Sequence, residues 1–290
     1  MKIIRDVKIV LHDRVMNGAV LFTNKIKKII DGDDTDFIRE IIDSNPGIEV
    51  IDGDGYYLTP GFIDIHVHGA AGFDTMDGSH QALSQIKKSL IKSGVTSFLA
   101  TTMSMPVKDI KTALKAINDE IKNEDKDQCG ARILGCHLEG PFLNKDYKGA
   151  QASKDIILPN IELIDKYTDI IKIVTAAPEV KGAEDLIRYL KEKGIISSAG
   201  HTGASYEEII TAQNWGLSHI THLFNAMTGL HHRKPGLIGA ALTTDMTCEL
   251  IADFIHVHPA VVKIVLKAKK LDKIILITDQ MRAGFLGEGE

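Results

Sequence analysis

The sequence predicts an α/β protein built as a (β/α)8 barrel, with a small β-rich domain ahead of it. Three observations carry this. From residue 59 onward, apolar runs of strand length alternate with stripes at helical spacing until eight strands are counted. Residues 1–58 lack that alternation and break into short runs between turn signals. Histidines and carboxylates recur at the C-terminal ends of the predicted strands, the face on which such barrels carry their active sites.

In the first 58 residues the runs KIIRDVKIVL, AVLFTNKIKKII and IEVIDGDGYYL are separated by four turn signals. These are Asn17-Gly18, Asp31-Gly32-Asp33-Asp34, Asn45-Pro46-Gly47 and Asp52-Gly53-Asp54-Gly55. Thr59-Pro60-Gly61 marks the junction with the larger unit, 59–290.

The first barrel strand is FIDIHV, where period-two alternation puts His66 and His68 on one face. Ala82, Leu83, Ile86, Leu90 and Ile91 then form a helical stripe that stops at Gly94. VTSFLATT is the second strand, and the stripe from Ile110 to Ile121 leads to the third, ARILGCHLEG. The remaining strands fall near 170–176, 195–200, 218–223, 248–255 and 273–279, with helices between them; His258-Pro259 opens the last of these. An open doubly wound sheet is the alternative, but no G-x-G-x-x-G follows the first strand.

A chain of 290 residues, 44% of them hydrophobic, can bury a substantial core. A net charge of −5 gives no basic footprint for nucleic acid. No apolar run of roughly 18 residues marks a membrane span, and charges interrupt the N-terminal stretch MKIIRDVKIVLHD where a signal peptide would be apolar. Cys129, Cys136 and Cys248 lack CxxC spacing and read as reduced thiols. The expectation is a soluble cytoplasmic protein with neither nucleic-acid nor membrane partners.

Read together, the strand ends carry His66 and His68, His137-Leu138-Glu139, His201, His219-x-x-His222 and Asp279. A single strand-end histidine is ordinary; five strands delivering such groups to one rim point to a divalent metal. Histidine and carboxylate suit zinc and related ions, which polarise carbonyls and acidify bound water. Asp279, on the last strand, is the candidate general base. His219 reads as a packed histidine, and His12 and His80 as surface residues.

The stretches PGFIDIHVHG, HLEGPF, AGHTGA, THLFNAMTGLHHRKPG, IADFIHVHP and ITDQMRAG resemble, in order and spacing, the N-acetylglucosamine-6-phosphate deacetylases of the amidohydrolase superfamily. The resemblance implies hydrolysis of the acetamide of N-acetylglucosamine 6-phosphate, giving glucosamine 6-phosphate and acetate. It implies Glu139, His201 and His222 as ligands of a catalytic ion, zinc first and iron, cobalt or manganese otherwise. His66 and His68 complete a second site bridged through Glu139, so one or two ions are implied. Asp279 is the implied acid and base. Ala150, Gln151, Asn225, Ala226 and His256 are implied at the substrate, and Arg233 at its phosphate from the neighbouring subunit of a homodimer. His231 and His232 read either as phosphate contacts or as solvated loop residues.

The sequence also departs from that pattern. Gln151 stands where many members have histidine, Phe254 where glycine is usual and Gln280 where alanine is usual. The family continues beyond the position of Glu290 with a helix and strands, so exposed apolar surface, an incompletely closed last seam and low stability are expected. Two other readings stay open: a related substrate such as N-acetylgalactosamine 6-phosphate or a cyclic amide, and a non-catalytic relative.

Overall fold

The computed structural model describes residues 1–32, 34–123 and 130–287. Asp33 of the second turn signal and Cys129 lie outside the described residues. The chain divides into two compact units, Met1–Gly61 and Phe62–Glu290.

The first unit is a five-stranded sheet of β1 (Lys2–Val10), β2 (Val15–Phe22), β3 (Ile26–Asp31), β4 (Glu49–Asp52) and β5 (Tyr57–Leu58), with one helix, α1 (Thr35–Asp43). β2 lies antiparallel to β1 and β3, whereas β4 and β5 run parallel to β1. The sequence reading missed α1. Its stripe of Phe37, Ile38, Ile41 and Ile42 has helical period and packs on Ile3, Ala19 and Ile30, but it follows a cluster of aspartates that reads as a turn.

The second unit holds an eight-stranded parallel sheet of β6 (Phe62–Val67), β9 (Val95–Thr101), β10 (Arg132–Glu139), β11 (Ile171–Ala176), β12 (Ile196–Ala199), β13 (Leu217–Ile220), β14 (Thr247–Ile251) and β15 (Ile274–Ile277), paired in sequence order. A small antiparallel pair, β7 (Gly69–Ala70) and β8 (Phe73–Asp74), follows β6. The intervening helices are α2 (His80–Leu90), α3 (Val107–Lys122), α4 (Ile161–Ile164), α5 (Ala183–Glu192), α6 (Tyr206–Trp215), α7 (Gly236–Thr243) and α8 (Pro259–Ala268). Each turns its apolar stripe onto the strands: Leu83, Ile86 and Leu90 of α2 share one core with Phe98 of β9 and with Ile110 and Leu114 of α3. Start signals behave as their chemistry demands. Ser205 and Glu208 form a reciprocal capping box on α6, and His258 caps α8 with Pro259 in its first position.

The eight strands sit where the alternation predicts them, with one clear difference. The seventh, expected over 248–255, ends at Ile251 because Asp253 turns the chain: its Oδ1 accepts the main-chain N–H of Ile255 (2.9 Å) and of His256 (2.8 Å). The expected gap at the last seam is not there at the C-terminal rim. The main-chain N–H of Asp279 donates to His66 (3.1 Å), and that of His68 donates to Gln280 (2.8 Å). Asp64 takes the N–H and hydroxyl of Thr278 at 3.2 and 2.7 Å, and a parallel bridge joins Val67 to Gln280. The sheet is therefore a nearly closed barrel: β6 and β15 stand at its two ends and meet through these bonds and the single bridge, not through a strand ladder. On the outer side of the same two strands Ile63 and Leu276 are exposed, at 56% and 64%.

Candidate metal centre and active site

Barrel closure brings the ends of five strands onto one rim, and with them His66, His68, Glu139, His201, His222 and Asp279. Glu139 stands between two pairs of imidazoles. Its Oε1 lies 3.2 Å from His201 Nε2 and 3.0 Å from His222 Nε2; these two nitrogens are 3.1 Å apart. Its Oε2 lies 3.3 Å from His68 Nε2, which is 3.3 Å from His66 Nε2. Asp279 Oδ1 completes the second group at 3.4 Å from His66 Nε2 and 3.3 Å from His68 Nε2.

These spacings test whether the side chains suit a cation. Ligands held about 2.1 Å from an ion at tetrahedral angles are about 3.4 Å from one another, close to the separations in both groups. Facing ring nitrogens at such distances repel unless a proton or a cation lies between them. On the far side of the rings, the buried Nδ1 atoms of His68 and His222 have no partner among the described residues, whereas those of His66 and His201 meet Glu249 Oε2 (2.9 Å) and Tyr147 O (3.0 Å). The donor set of imidazole and carboxylate fits a divalent ion.

The charges are mutually dependent. Burial works against ionising Glu139, yet the imidazoles of His201 and His66 hold its carboxyl well below the usual range. Burial likewise opposes protonation of His66 and His68, but Glu249, Asp279 and Glu139 around the first, and hydrogen bonds to Asp279 and Glu139 at the second, raise them to about 9 and about 10. Asp279 is pulled down to about 2 against its burial, chiefly by His66. It is ionised at neutral pH.

The backbone is strained at the same rim. His201, His222, Ala226 and Asp279 have φ of 49°, 28°, 50° and 51°, conformations that cost about 1–3 kcal/mol each outside glycine. Surrounding bonds hold them, including Thr202 N–H to Ala226 O at 3.2 Å. Gly149, at φ 55°, lets its loop approach the His201 ring so closely that a Cβ there would lie 3.2 Å from Cε1.

The implied substrate residues are less gathered than the implied ligands. Asn225 and Ala226 are half-buried behind His222, the Asn225 amide donating to His222 O at 3.2 Å. Ala150 is exposed beside Gly149. His256 is exposed and engages Asp253 through Nδ1 at 2.6 Å. Arg233 is exposed, and its guanidinium makes no bond among the described residues. Gln151, implied at the substrate, also engages the protein on both sides of its amide. It is buried, its Oε1 accepts the Ser104 N–H at 2.6 Å, and its Nε2 donates to Glu139 Oε2 at 2.6 Å, so both amide atoms serve the protein.

Two buried carboxylates escaped the sequence reading. Asp64 has a legible signal, because it lies two residues before His66 and shares its face. Glu249 has a weaker one, a charge inside the otherwise apolar strand TCELI. His137, at a strand end but not in either group, has Nδ1 near Ile65 O (3.0 Å) and Nε2 near Thr175 Oγ1 (2.7 Å). Burial, with His66 adding to it, lowers it to about 3, so it is neutral.

A sequence profile of the amidohydrolase family matches residues 57–283. The chain belongs to the amidohydrolase family. Within it, the chain is 46% identical over 237 residues to an N-acetylglucosamine-6-phosphate deacetylase of Bacillus subtilis, covering 80% of this chain and 60% of that protein. It is 36% identical over 247 residues to an N-acetylgalactosamine-6-phosphate deacetylase of Escherichia coli O157:H7, covering 83% and 64%. Among solved amidohydrolase structures, N-acetylglucosamine-6-phosphate deacetylase from Thermotoga maritima matches with TM-score 0.83 and 35% identity, over 99% of this chain and 73% of that one. The enzyme of that name from Pasteurella multocida matches with TM-score 0.87 and 30% identity, over 97% and 72%. The chain thus spans somewhat under two thirds of the length of these curated relatives. No helix among the described residues is long and apolar enough to cross a membrane.

Proposed function

We propose that this chain performs the hydrolytic deacetylation of N-acetylglucosamine 6-phosphate, yielding glucosamine 6-phosphate and acetate. The observation that carries the reading is Glu139 shared between two imidazole pairs, with ionised Asp279 at their edge. Glu139, His201 and His222 would hold one divalent ion, zinc in first place, and His66, His68 and Glu139 a second. When bound, such an ion polarises the acetyl carbonyl and makes water a better nucleophile.

The protein's own groups supply the rest. Asp279 is 24% exposed at its side chain, so it can accept a proton from water at its carboxylate and return it to the leaving nitrogen. Gln151 keeps Glu139 turned toward both histidine pairs. His256, backed by Asp253, is assigned to the sugar or the acetyl oxygen, and Ala150, Asn225 and Ala226 to the pocket wall. Arg233, whose planar fork suits phosphate, is assigned to the phosphate of a neighbouring subunit's substrate in a homodimer. Buried Cys136 and Cys248, both free, support a cytoplasmic location.

The test is acetate release by the zinc-supplemented chain from N-acetylglucosamine 6-phosphate, beside the unphosphorylated sugar and N-acetylgalactosamine 6-phosphate. The N-acetylgalactosamine-6-phosphate deacetylase among the relatives makes the epimer the second reading. Turnover should require the phosphate. Asp279→Asn should keep the metal and lose most turnover, about 10²-fold or more; normal turnover in that variant refutes its role.

A further inference from the structure

Glu249, on β14, is fully buried and belongs to neither imidazole pair, yet it touches both. Its Oε2 lies 2.9 Å from His66 Nδ1 and accepts the main-chain N–H of His222 at 3.0 Å; its Oε1 lies 3.3 Å from His219 Nε2. His219 is itself fixed at Nδ1 by Thr247 Oγ1, 2.6 Å away. An ionised carboxylate can only accept, so His66 Nδ1 must carry the hydrogen. The other ring nitrogen, Nε2, is the one facing His68, Glu139 and Asp279.

Resting on the reading that these groups hold ions, we propose that Glu249 is a positioning residue: by taking the Nδ1 hydrogen of His66 it aims the Nε2 lone pair at a divalent cation held with His68 and Glu139. Glu249 is not itself a ligand of a further ion with His66 and His137. The facing nitrogen of His66 is already bonded to it, and both ring nitrogens of His137 are taken by Ile65 and Thr175. Its influence on the two sites is unequal. It reaches His222 only through the main chain, where the Leu223 N–H to Glu249 O bond at 2.9 Å survives any change of side chain. The imidazole of His66, by contrast, has Glu249 as its sole Nδ1 partner among the described residues. A carboxylate behind a ligating histidine orients the ring and raises its basicity, and its loss typically weakens metal binding about 10- to 100-fold.

The experiment is a zinc titration of the full chain, stripped with chelator, with stoichiometry by elemental analysis and affinities by competition with a chromophoric chelator. Wild type, Glu249→Gln, Glu249→Leu, His66→Gln and the His66→Gln/Glu249→Leu double variant are compared, with folding followed by circular dichroism. Wild type should take two ions. Glu249→Leu should hold the first within about 3-fold and weaken the second about 10- to 100-fold, while Glu249→Gln, which keeps an acceptor for Nδ1, should weaken the second less. In the His66→Gln background the Glu249 change should have no further effect. Should the leucine variant not fold, selective weakening of the second ion in Glu249→Gln supports the assignment. Unchanged binding of both ions in a folded Glu249 variant, or equal weakening of both, overturns it. A wild-type chain that takes only one ion overturns the two-ion reading, and this assignment with it.

Discussion

Removing the Asp64 carboxylate should loosen the one barrel seam that is closed by the two ends of this unit. Asp64 is 3% exposed and accepts three hydrogen bonds: from the main-chain N–H of His66 at 3.1 Å, and from the N–H and hydroxyl of Thr278 at 3.2 and 2.7 Å. Asp64 and Thr278 are 214 positions apart, so these bonds close a very long loop. In Asp64→Ala the Thr278 hydroxyl can turn elsewhere and its N–H can meet water. The His66 N–H is left buried without a partner, at about 1–3 kcal/mol, and the lost bonds to a charged acceptor add to that. Burial raises the Asp64 pKa despite those bonds, so removing the charge offsets part of the loss. The net expectation is a destabilisation of about 2–4 kcal/mol, and about half as much for Asp64→Asn, whose amide can serve only one side. Urea unfolding of the metal-free chain measures it. Hydrogen exchange at the Asp279 N–H, which donates to His66 O, should accelerate in parallel because local opening of the seam becomes easier. An Asp64→Ala variant within about 0.5 kcal/mol of wild type, or unchanged exchange at Asp279, refutes the reasoning.

Three further outcomes are expected. Glu120 pairs with Lys87 Nζ at 2.9 Å, both side chains being about 5% exposed, so Glu120→Ala strands a buried cation and should cost about 3–5 kcal/mol in urea unfolding. Although burial opposes it, the bonds from Lys87 and His80 lower the Glu120 pKa; its contribution is therefore present above 4.5 and lost as pH falls below that value, and Glu120→Gln should flatten that part of the stability profile. Phe254 sits at φ 65° with its ring 60% exposed, so Phe254→Gly should relieve left-handed strain and, after the entropy of glycine is subtracted, raise stability by up to about 1 kcal/mol; a fall in melting temperature counts against this. Gln151→Leu removes the donor on Glu139 Oε2 and should weaken zinc binding about 10-fold, whereas a residue serving only the sugar would raise KM with metal binding unchanged.

The parts of the site that were legible in the sequence are those whose signal is local. His66 and His68 share a face by period two, Glu139 closes an apolar strand, and Asp279 follows another; each is readable from its own neighbours. The eight strands were legible for the same reason, and the helix Thr35–Asp43 was missed only because turn residues precede its stripe. Glu249, and the bond Gln151 makes to Glu139, were not legible because their meaning lies in partners on other elements. Whether a glutamate in TCELI faces the barrel axis depends on the register of β14 against β13, set by pairings such as Ile220 with Cys248. No single run of residues carries a parallel register, since each strand is joined to its neighbour through a helix rather than a turn.

The same distinction explains why the strain collects where it does. His201, His222 and Asp279 all lie just past the last residue of their strands, at positive φ. A residue still within a strand can point only along the pleat, toward the axis or away from it. Turning the backbone one or two residues later lets an imidazole lean across the rim to meet Glu139, which is still within β10. The first group thus has one member on the sheet, Glu139, and its partners beyond it, while the second takes His66 and Glu139 from within strands and His68 and Asp279 from just past them. Of the strained residues, Asp279 directly follows Thr278, which Asp64 holds through two bonds, and its own N–H donates to His66 O at 3.1 Å. Because Asp64 fixes the backbone of both His66 and Thr278, the Asp64→Ala variant should weaken zinc binding as well as stability, although Asp64 itself touches none of the candidate ligand nitrogens.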